Sequence, residues 1–294
     1  MDTDALIDWF AANARDLPWR RPECTAWGVL VSEIMLQQTP VARVEPFWHE
    51  WLARWPTPAA MAAASHGDVL RAWGKLGYPR RALRLHAAAT AIANSHNDIV
   101  PSDVDTLLSL PGIGAYTARA VAAFAYRRRA PVVDTNVRRV VARAVHGAGD
   151  AGPPSTTRDM ADVDALLPPD DEPAAAFSAG LMELGQMVCT VRAPHCADCP
   201  LLRECAWQRA GRPAYAGPAK PVQKFAGTDR QVRGLLLDVL RGAVGPVTRA
   251  ALDRVWADSG QRDRCLDSLL VDGLVEQTDD GRFALPGEAV VGRA

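Results

Sequence analysis

The sequence predicts an all-α protein that ends in a small α+β module. Three observations carry this. Apolar residues recur at helical spacing in successive segments between residues 3 and 188, the pattern of helices with one buried face. Glycine and proline punctuate those segments, most pointedly in Leu110-Pro111-Gly112-Ile113-Gly114, which separates two helical patterns. Strand-like signals wait until residues 273–286, where Asp280-Gly281 marks a hairpin turn. At 294 residues the chain has room for two or three domains with a substantial core.

The elements follow in order. Residues 3–19 read as an amphipathic helix (Leu6, Ile7, Trp9, Phe10) that runs into RDLPWR. Arg15, Trp19 and Arg20 are candidates to line a cleft, although a Trp after Pro is more often a core plug. From Trp27 onward, Trp27, Leu30, Val31, Ile34 and Gln38 make one helix face, with Glu33 and Gln37 beside it. A single helical Glu is by default a solvated surface residue. Residues 45–100 continue as helices, with Trp48, Trp51, Trp55, Leu70 and Trp73 assigned to the core. Within them Gly74-Lys75-Leu76-Gly77-Tyr78 is followed by Arg80, Arg81 and Arg84, with no acid from Val69 to His86. A glycine loop with one aromatic and a basic helix start suits a ring that stacks into a duplex beside phosphate contacts; a buried Tyr in a helix turn is the plainer alternative.

The segment 110–139 is the centre of the reading. Gly112 and Gly114 permit positive φ and remove Cβ atoms, so a phosphate can approach the N–H groups that open the next helix, where the dipole favours an anion. From Arg119 to Arg143 there are seven arginines (119, 127, 128, 129, 138, 139, 143), and Asp134 is the one acid. This reads as an electrostatic footprint for a polyanion. Asp134 begins the apolar pattern Val137, Val140, Val141, Val145 and is an N-cap candidate on local grounds. The net charge of −1 looks wrong for a polyanion binder, but residues 150–172 hold seven acids against Arg158 alone. Distribution matters more than the sum.

Residues 147–172 are read as an exposed excursion, and 177–188 return to helix. Cys189-x6-Cys196-x2-Cys199-x5-Cys205 then follows. No signal peptide pattern and no apolar run of transmembrane length is present, which points to a reducing cytoplasm. There, four close cysteines point to metal rather than disulfides. A structural zinc ion and a 4Fe-4S cluster both use four thiolates, although zinc ribbons usually pair two Cys-x-x-Cys knuckles and this segment has one. Cys24 and Cys265 lack such spacing and read as packing residues. Residues 211–228 form a linker, and short helices within 229–270 followed by the hairpin suggest a winged-helix-like module over 229–294.

LPGIG and VVDTNVRR resemble the helix-hairpin-helix DNA glycosylases, and SEIMLQQTPVARV (Ser32 to Val44) is similar almost letter for letter to the signature of the adenine DNA glycosylase (MutY) family. The C-x6-C-x2-C-x5-C spacing is that of endonuclease III and its adenine-glycosylase relatives. The resemblance covers about residues 5–210. It implies the helix-hairpin-helix glycosylase fold with a 4Fe-4S loop held by Cys189, Cys196, Cys199 and Cys205, in two lobes: a barrel-like one over about 22–130, and a cluster-bearing one from 1–21 and 131–210.

By the same resemblance Glu33 protonates the adenine, and Leu36, Gln37 and Gln38 wedge into or contact DNA. Tyr78 intercalates beside the damaged guanine, where many relatives carry a second Tyr and this chain has Pro79. Gly112, Gly114, Arg20, Arg81 and Arg138 join the expected DNA contacts, as does Arg192 in the cysteine loop, while His195 is not expected to be a ligand. Adenine leaves C1′ poorly unless its ring is protonated, so a two-carboxylate solution is expected: Glu33 as acid, and Asp134, assisted by Asn136, beside the oxocarbenium ion. Tyr116 stands where bifunctional relatives place a Schiff-base Lys, which implies little or no lyase activity.

The expected partner is double-stranded DNA bearing A:8-oxoguanine or A:G mispairs, bound by a monomer in the cytoplasm, associated with the nucleoid. Residues 225–294 are too short for the Nudix-like domain of many relatives and lack its Phe-Ser-His loop, leaving the preference between these mispairs open. The alternatives are a thymine/uracil mismatch glycosylase of the same superfamily, whose members lack the MLQQT motif, and a catalytically silent DNA-binding paralogue.

Overall fold

A computed structural model of the protein describes residues 1–218 and 225–289. Residues 219–224, inside the expected linker, and 290–294, at the end of the expected C-terminal module, lie outside the described residues. The helices run in order α1 (Thr3–Asn13), α2 (Ala26–Leu36), α3 (Val41–Arg54), α4 (Pro58–Ala62), α5 (His66–Trp73), α6 (Arg80–Ser95), α7 (Val104–Ser109), α8 (Ala115–Tyr126), α9 (Thr135–Ala144), α10 (Thr156–Asp164), α11 (Asp171–Met187), α12 (Ala206–Arg209), α13 (Asp229–Gly242), α14 (Arg249–Asp253) and α15 (Ser259–Val271). Two short strands, β1 (Glu276–Gln277) and β2 (Phe283–Ala284), close the described chain. No helix among the described residues is long and apolar enough to cross a membrane.

Packing divides the chain into two units. The first comprises Met1–Glu33, Pro101–Ser109 and Ile113–Lys220. Its centre is α11, which packs on α1, α8 and α9. Phe177, Leu181 and Leu184 of α11 meet Leu6 of α1 and Val137, Val140 and Val141 of α9 in one buried cluster. Gly180 lets α11 approach α1 closely, since a Cβ there would sit 3.1 Å from that of Phe10.

The second unit comprises Ile34–Val100, Leu110–Gly112 and Pro221–Ala294. Here α6 packs on α4 and α5, and Trp51, Trp55 and Trp73 meet edge to face with ring centres 4.9 and 5.4 Å apart. The C-terminal helices belong to this unit rather than forming a body of their own. Arg71 of α5 makes a two-pronged ion pair with Glu288 at 2.7 and 2.9 Å, and Arg241 of α13 donates to the Leu70 carbonyl at 3.0 Å. Within the C-terminal part α13 packs on α14 and α15. Strands β1 and β2 pair antiparallel, with Glu276 opposite Ala284 and Gln277 opposite Phe283. Val247 bridges to Phe283, completing helices followed by a small wing.

Candidate active site

Glu33 lies on a helix whose Trp27, Val29, Leu30, Val31, Ile34 and Met35 are all buried, and it is itself only 6% exposed. Helix α2 is apolar all round, so the expectation of a solvated surface Glu fails: there is no wet face for it to occupy. Burial pushes its carboxyl up to about 7. A hydrogen bond from Tyr116 and the charge of Arg20 pull the other way, while the nearby Asp134 carboxylate adds to the rise. Tyr116 stands in the first turn of α8, two residues after Gly114, which caps that helix without a side-chain bond. Burial, then the charges of Glu33 and Asp134, hold its phenol well above the ordinary range, so it is a donor and not a base.

Asp134 is the N-cap of α9, as its local pattern suggests, and it also faces the site. Its Oδ1 accepts from the Asn136 and Val137 amides at 2.8 and 2.7 Å, and its Oδ2 from Asn136 Nδ2 at 2.7 Å. Burial raises its pKa against the pull of these bonds and of Arg139. Capping and chemistry therefore ask for the same geometry: three N–H donors fix the carboxylate and favour its charged form. The network continues through Asn136 Oδ1, which accepts from Arg139 at 2.9 Å, to the Gly185 and Cys189 carbonyls, each 2.7 Å from the Arg139 guanidinium. Gly185 makes room for it, since a Cβ there would fall 2.8 Å from that of Asn136 and 2.9 Å from its carbonyl oxygen.

The arginine-rich stretch behaves differently from the footprint expected of it. Arg138 pairs with Asp159 at 2.6 Å and donates to the Gly152 and Pro153 carbonyls, fastening the acidic excursion. Arg143 donates to the carbonyls of Gly149, Thr190 and Val191. Arg127, Arg128 and Arg129 pair with Glu172, Asp171 and Asp164. Four of the acids counted against the basic stretch in sequence, Asp159, Asp164, Asp171 and Glu172, are its partners in space. Arg20 is also engaged, by Glu183 at 2.9 Å.

Arg81, expected at DNA, is buried. Its Nη1 donates to the Ile34, Met35 and Gln37 carbonyls at 2.7–2.9 Å. Its Nη2 reaches Thr39 Oγ1 and the Leu76 and Gly77 carbonyls at 2.9–3.2 Å. Burial lowers its pKa to about 10. It ties the end of α2 to the glycine loop, satisfying carbonyls that a helix terminus leaves open. Leu36 and Gln37 are half-buried just there, and Gln38 is exposed with φ of 56°. Tyr78 is 37% exposed with φ of 48°. Gly112 has φ of 75°, and a Cβ there would lie 2.6 Å from that of Arg84.

Glu183 was not singled out by the sequence. Its side chain is fully buried and accepts from the Arg15 amide and guanidinium at 3.0, 2.7 and 2.7 Å as well as from Arg20. Burial alone would raise its pKa, but these bonds hold it near 2. The available signal was an acid between Leu181 and Leu184 in the apolar stretch of α11 that follows its acidic first turn, with two arginines in RDLPWR to answer it.

Cys189, Cys196, Cys199 and Cys205 line one small cavity together with Val188, Leu202, Trp207 and Arg143. All four thiols are free and half-buried, and His195 is not among the lining residues. Among the described residues no three His, Cys, Asp or Glu side chains are grouped to hold a single metal ion.

A buried carboxyl poised near neutrality, a capped carboxylate beside it and a glycine hairpin on helices define the class: residues 31–163 match the HhH-GPD superfamily of base excision DNA repair proteins. The chain is 66% identical over 289 residues to an adenine DNA glycosylase of Mycolicibacterium smegmatis, covering 98% of this chain and 97% of that protein. Identity is 64% over 284 residues to an adenine DNA glycosylase of Mycobacterium tuberculosis, with 96% and 93% covered. A solved thermostable thymine-DNA glycosylase shares the fold, with a TM-score of 0.64 at 23% identity over 71% of this chain and 95% of that one. The chain belongs to the adenine DNA glycosylase family.

Proposed function

We propose that this protein flips adenine out of mispairs with 8-oxoguanine or guanine and hydrolyses its N-glycosidic bond in base excision repair. The observation that carries the reading is Glu33, a carboxyl sealed in an apolar helix and held at about 7, hydrogen-bonded to Tyr116 and close to a second, capped carboxylate. Glu33 passes its proton to N7 of the extruded base. The C1′–N9 bond then breaks with its electron pair going to the adenine, and the sugar becomes an oxocarbenium ion. Asp134 stabilises that cation and orients the attacking water with Asn136. Tyr116 donates to the Glu33 carboxyl and tempers its raised pKa, and because it offers no amine, no Schiff base forms and strand scission stays minor.

Leu36, Gln37 and Gln38 at the end of α2, with Tyr78, enter the stack, and the Gly112–Gly114 hairpin holds phosphate. The protein acts as a monomer on duplex DNA in the cytoplasm. Cys189, Cys196, Cys199 and Cys205 suit one 4Fe-4S cluster: four thiols in the C-x6-C-x2-C-x5-C spacing share one cavity. Such a cluster would supply structural cross-linking of the 189–205 loop. Iron and acid-labile sulfide in equal amounts would support it, and bound zinc without iron would exclude it.

Single-turnover cleavage of duplexes carrying 8-oxoguanine:A, G:A, C:A and G:T, with and without alkali, tests the activity. Adenine loss from the first two that needs alkali for strand breakage is expected. Thymine loss from G:T would instead favour a mismatch glycosylase acting on pyrimidines, and binding without base loss a silent paralogue.

A further inference from the structure

Helix α13 of the C-terminal part brings Arg230 to the ring of Tyr78. Arg230 Nη1 donates to the Tyr78 hydroxyl at 2.6 Å, and its guanidinium carbon lies 5.3 Å from the Tyr78 ring centre and 5.1 Å from that of Phe225. The buried Arg81 lies 5.7 Å from the same Tyr78 ring. Two rings and two guanidinium planes thus gather at one point, yet Tyr78 stays 37% exposed and Phe225 52% exposed. Tyr78 and Gln38 both hold the left-handed backbone that non-glycine residues seldom adopt, a form of strain that gathers where ligands are gripped.

These residues line a groove of about 760 Å3 within the second unit. Its described wall includes the exposed Arg43 and Arg84, which have no carboxylate partner among the described residues, and a single acid, Asp238, which pairs with Lys75 at 3.8 Å. Exposed rings between unpaired cations fit a strand of nucleic acid, with bases stacking on the rings and phosphates on the arginines. A buried plug would leave neither ring exposed nor cations unanswered.

We propose that the C-terminal part shares in reading DNA: Arg230, with Phe225 beside it, positions Tyr78 against the base opposite the excised adenine and so sets which opposing bases are accepted. The proposal rests on the glycosylase reading given above. It gives residues 225–289 a task in reading DNA.

The test is single-turnover adenine release from 8-oxoguanine:A, G:A and C:A duplexes by the full-length parent, Arg230→Ala, Tyr78→Phe, their double variant and Arg230→Lys. Arg230→Ala should lower the preference for 8-oxoguanine:A over C:A about tenfold, the loss of one hydrogen bond and one cation–ring contact. The change should fall on the enzyme concentration giving half-maximal rate more than on the plateau rate. Tyr78→Phe keeps the ring but loses the bond, so it should shift the preference in the same direction, and the double variant should be no worse than Arg230→Ala. Melting temperatures should match the parent's, since Arg230 is exposed. An unchanged preference in Arg230→Ala, additive losses in the double variant, or full rescue by Arg230→Lys, which keeps charge but no planar fork, would each overturn the positioning role. A parent that releases no adenine from any duplex would instead defeat the glycosylase reading.

Discussion

Glu33 and Glu183 are both sealed from solvent, at 6% and 0% exposure, yet they sit on opposite sides of an ordinary glutamate. Glu33 is driven up to about 7 and Glu183 held down near 2. The difference lies in what reaches each carboxyl. Glu183 collects the amide and both guanidinium prongs of Arg15 and a further donor from Arg20, and four N–H groups outweigh its desolvation. Glu33 receives one hydroxyl from Tyr116 and faces another carboxylate, so desolvation wins. Burial alone does not determine what a buried acid does. In the proposed mechanism one of these is a proton source, while the other pins residues 15–20 to α11.

Removing each carboxyl separates the two roles. Glu33→Gln keeps shape but has no proton to give, so single-turnover adenine release should fall by roughly 10²- to 10⁴-fold, the usual contribution of a positioned acid. Binding to mispaired duplex, followed by anisotropy, should persist, and substantial turnover would remove Glu33 from the mechanism. Glu183→Gln should instead strike stability, because Arg15 and Arg20 lose their counter-charge in a buried setting. Both are about a quarter to a third exposed, which puts the loss at the low end for a broken buried pair, about 3 kcal/mol in denaturant unfolding. A Glu183→Gln protein as stable as the parent would make the clamp ornamental.

The four cysteines stood out by their spacing and Asp134 as a helix cap by its local pattern, whereas Glu33 stood out only through the resemblance of SEIMLQQTPVARV to a family signature. Glu183 escaped because its partners lie 163 and 168 positions away, a separation at which no local pattern speaks. The arginines misled for a related reason. Arg81, Arg138 and Arg143 satisfy carbonyls and acids of the protein itself, and a basic residue reads the same in sequence whether it faces a phosphate or a helix end. The C-terminal helices were legible as helices. Their grouping with residues 34–100 rests on pairs such as Arg71 with Glu288, which composition does not announce.

The two glutamates also predict opposite dependences on pH. The folded pKa of Glu33 is raised above 4.5, so whatever stability its protonated form contributes is present below pH 4.5 and lost as pH rises to about 7. Glu183 is lowered from 4.5 to about 2, so its contribution is present above pH 4.5 and lost as pH falls toward 2. With about 1.4 kcal/mol for each pH unit between folded and unfolded pKa, Glu33 costs at most roughly 3 kcal/mol above neutrality. Glu33→Gln should therefore melt several degrees higher than the parent at pH 8 and nearly level with it at pH 5. Equal melting at both values would mean that the Glu33 carboxyl is not desolvated as the fold indicates.

The finest adjustment of the contrast belongs to Tyr116, the one hydroxyl that moves Glu33 a little way toward the behaviour of Glu183. Its hydrogen bond favours the charged carboxylate and so opposes desolvation. The proposed mechanism needs Glu33 protonated and Asp134 ionised, which predicts a bell-shaped profile whose alkaline limb falls above about pH 7 with Glu33. Tyr116→Phe removes the bond, lets Glu33 hold its proton to higher pH and moves that limb upward. At pH 8.5 the single-turnover rate should rise about fivefold, the size of one net hydrogen bond of about 1 kcal/mol, while at pH 6 it should barely change. If the rate instead collapses evenly across the profile, Tyr116 contributes to bond cleavage itself, and the difference between the two glutamates is no longer a matter of donors alone.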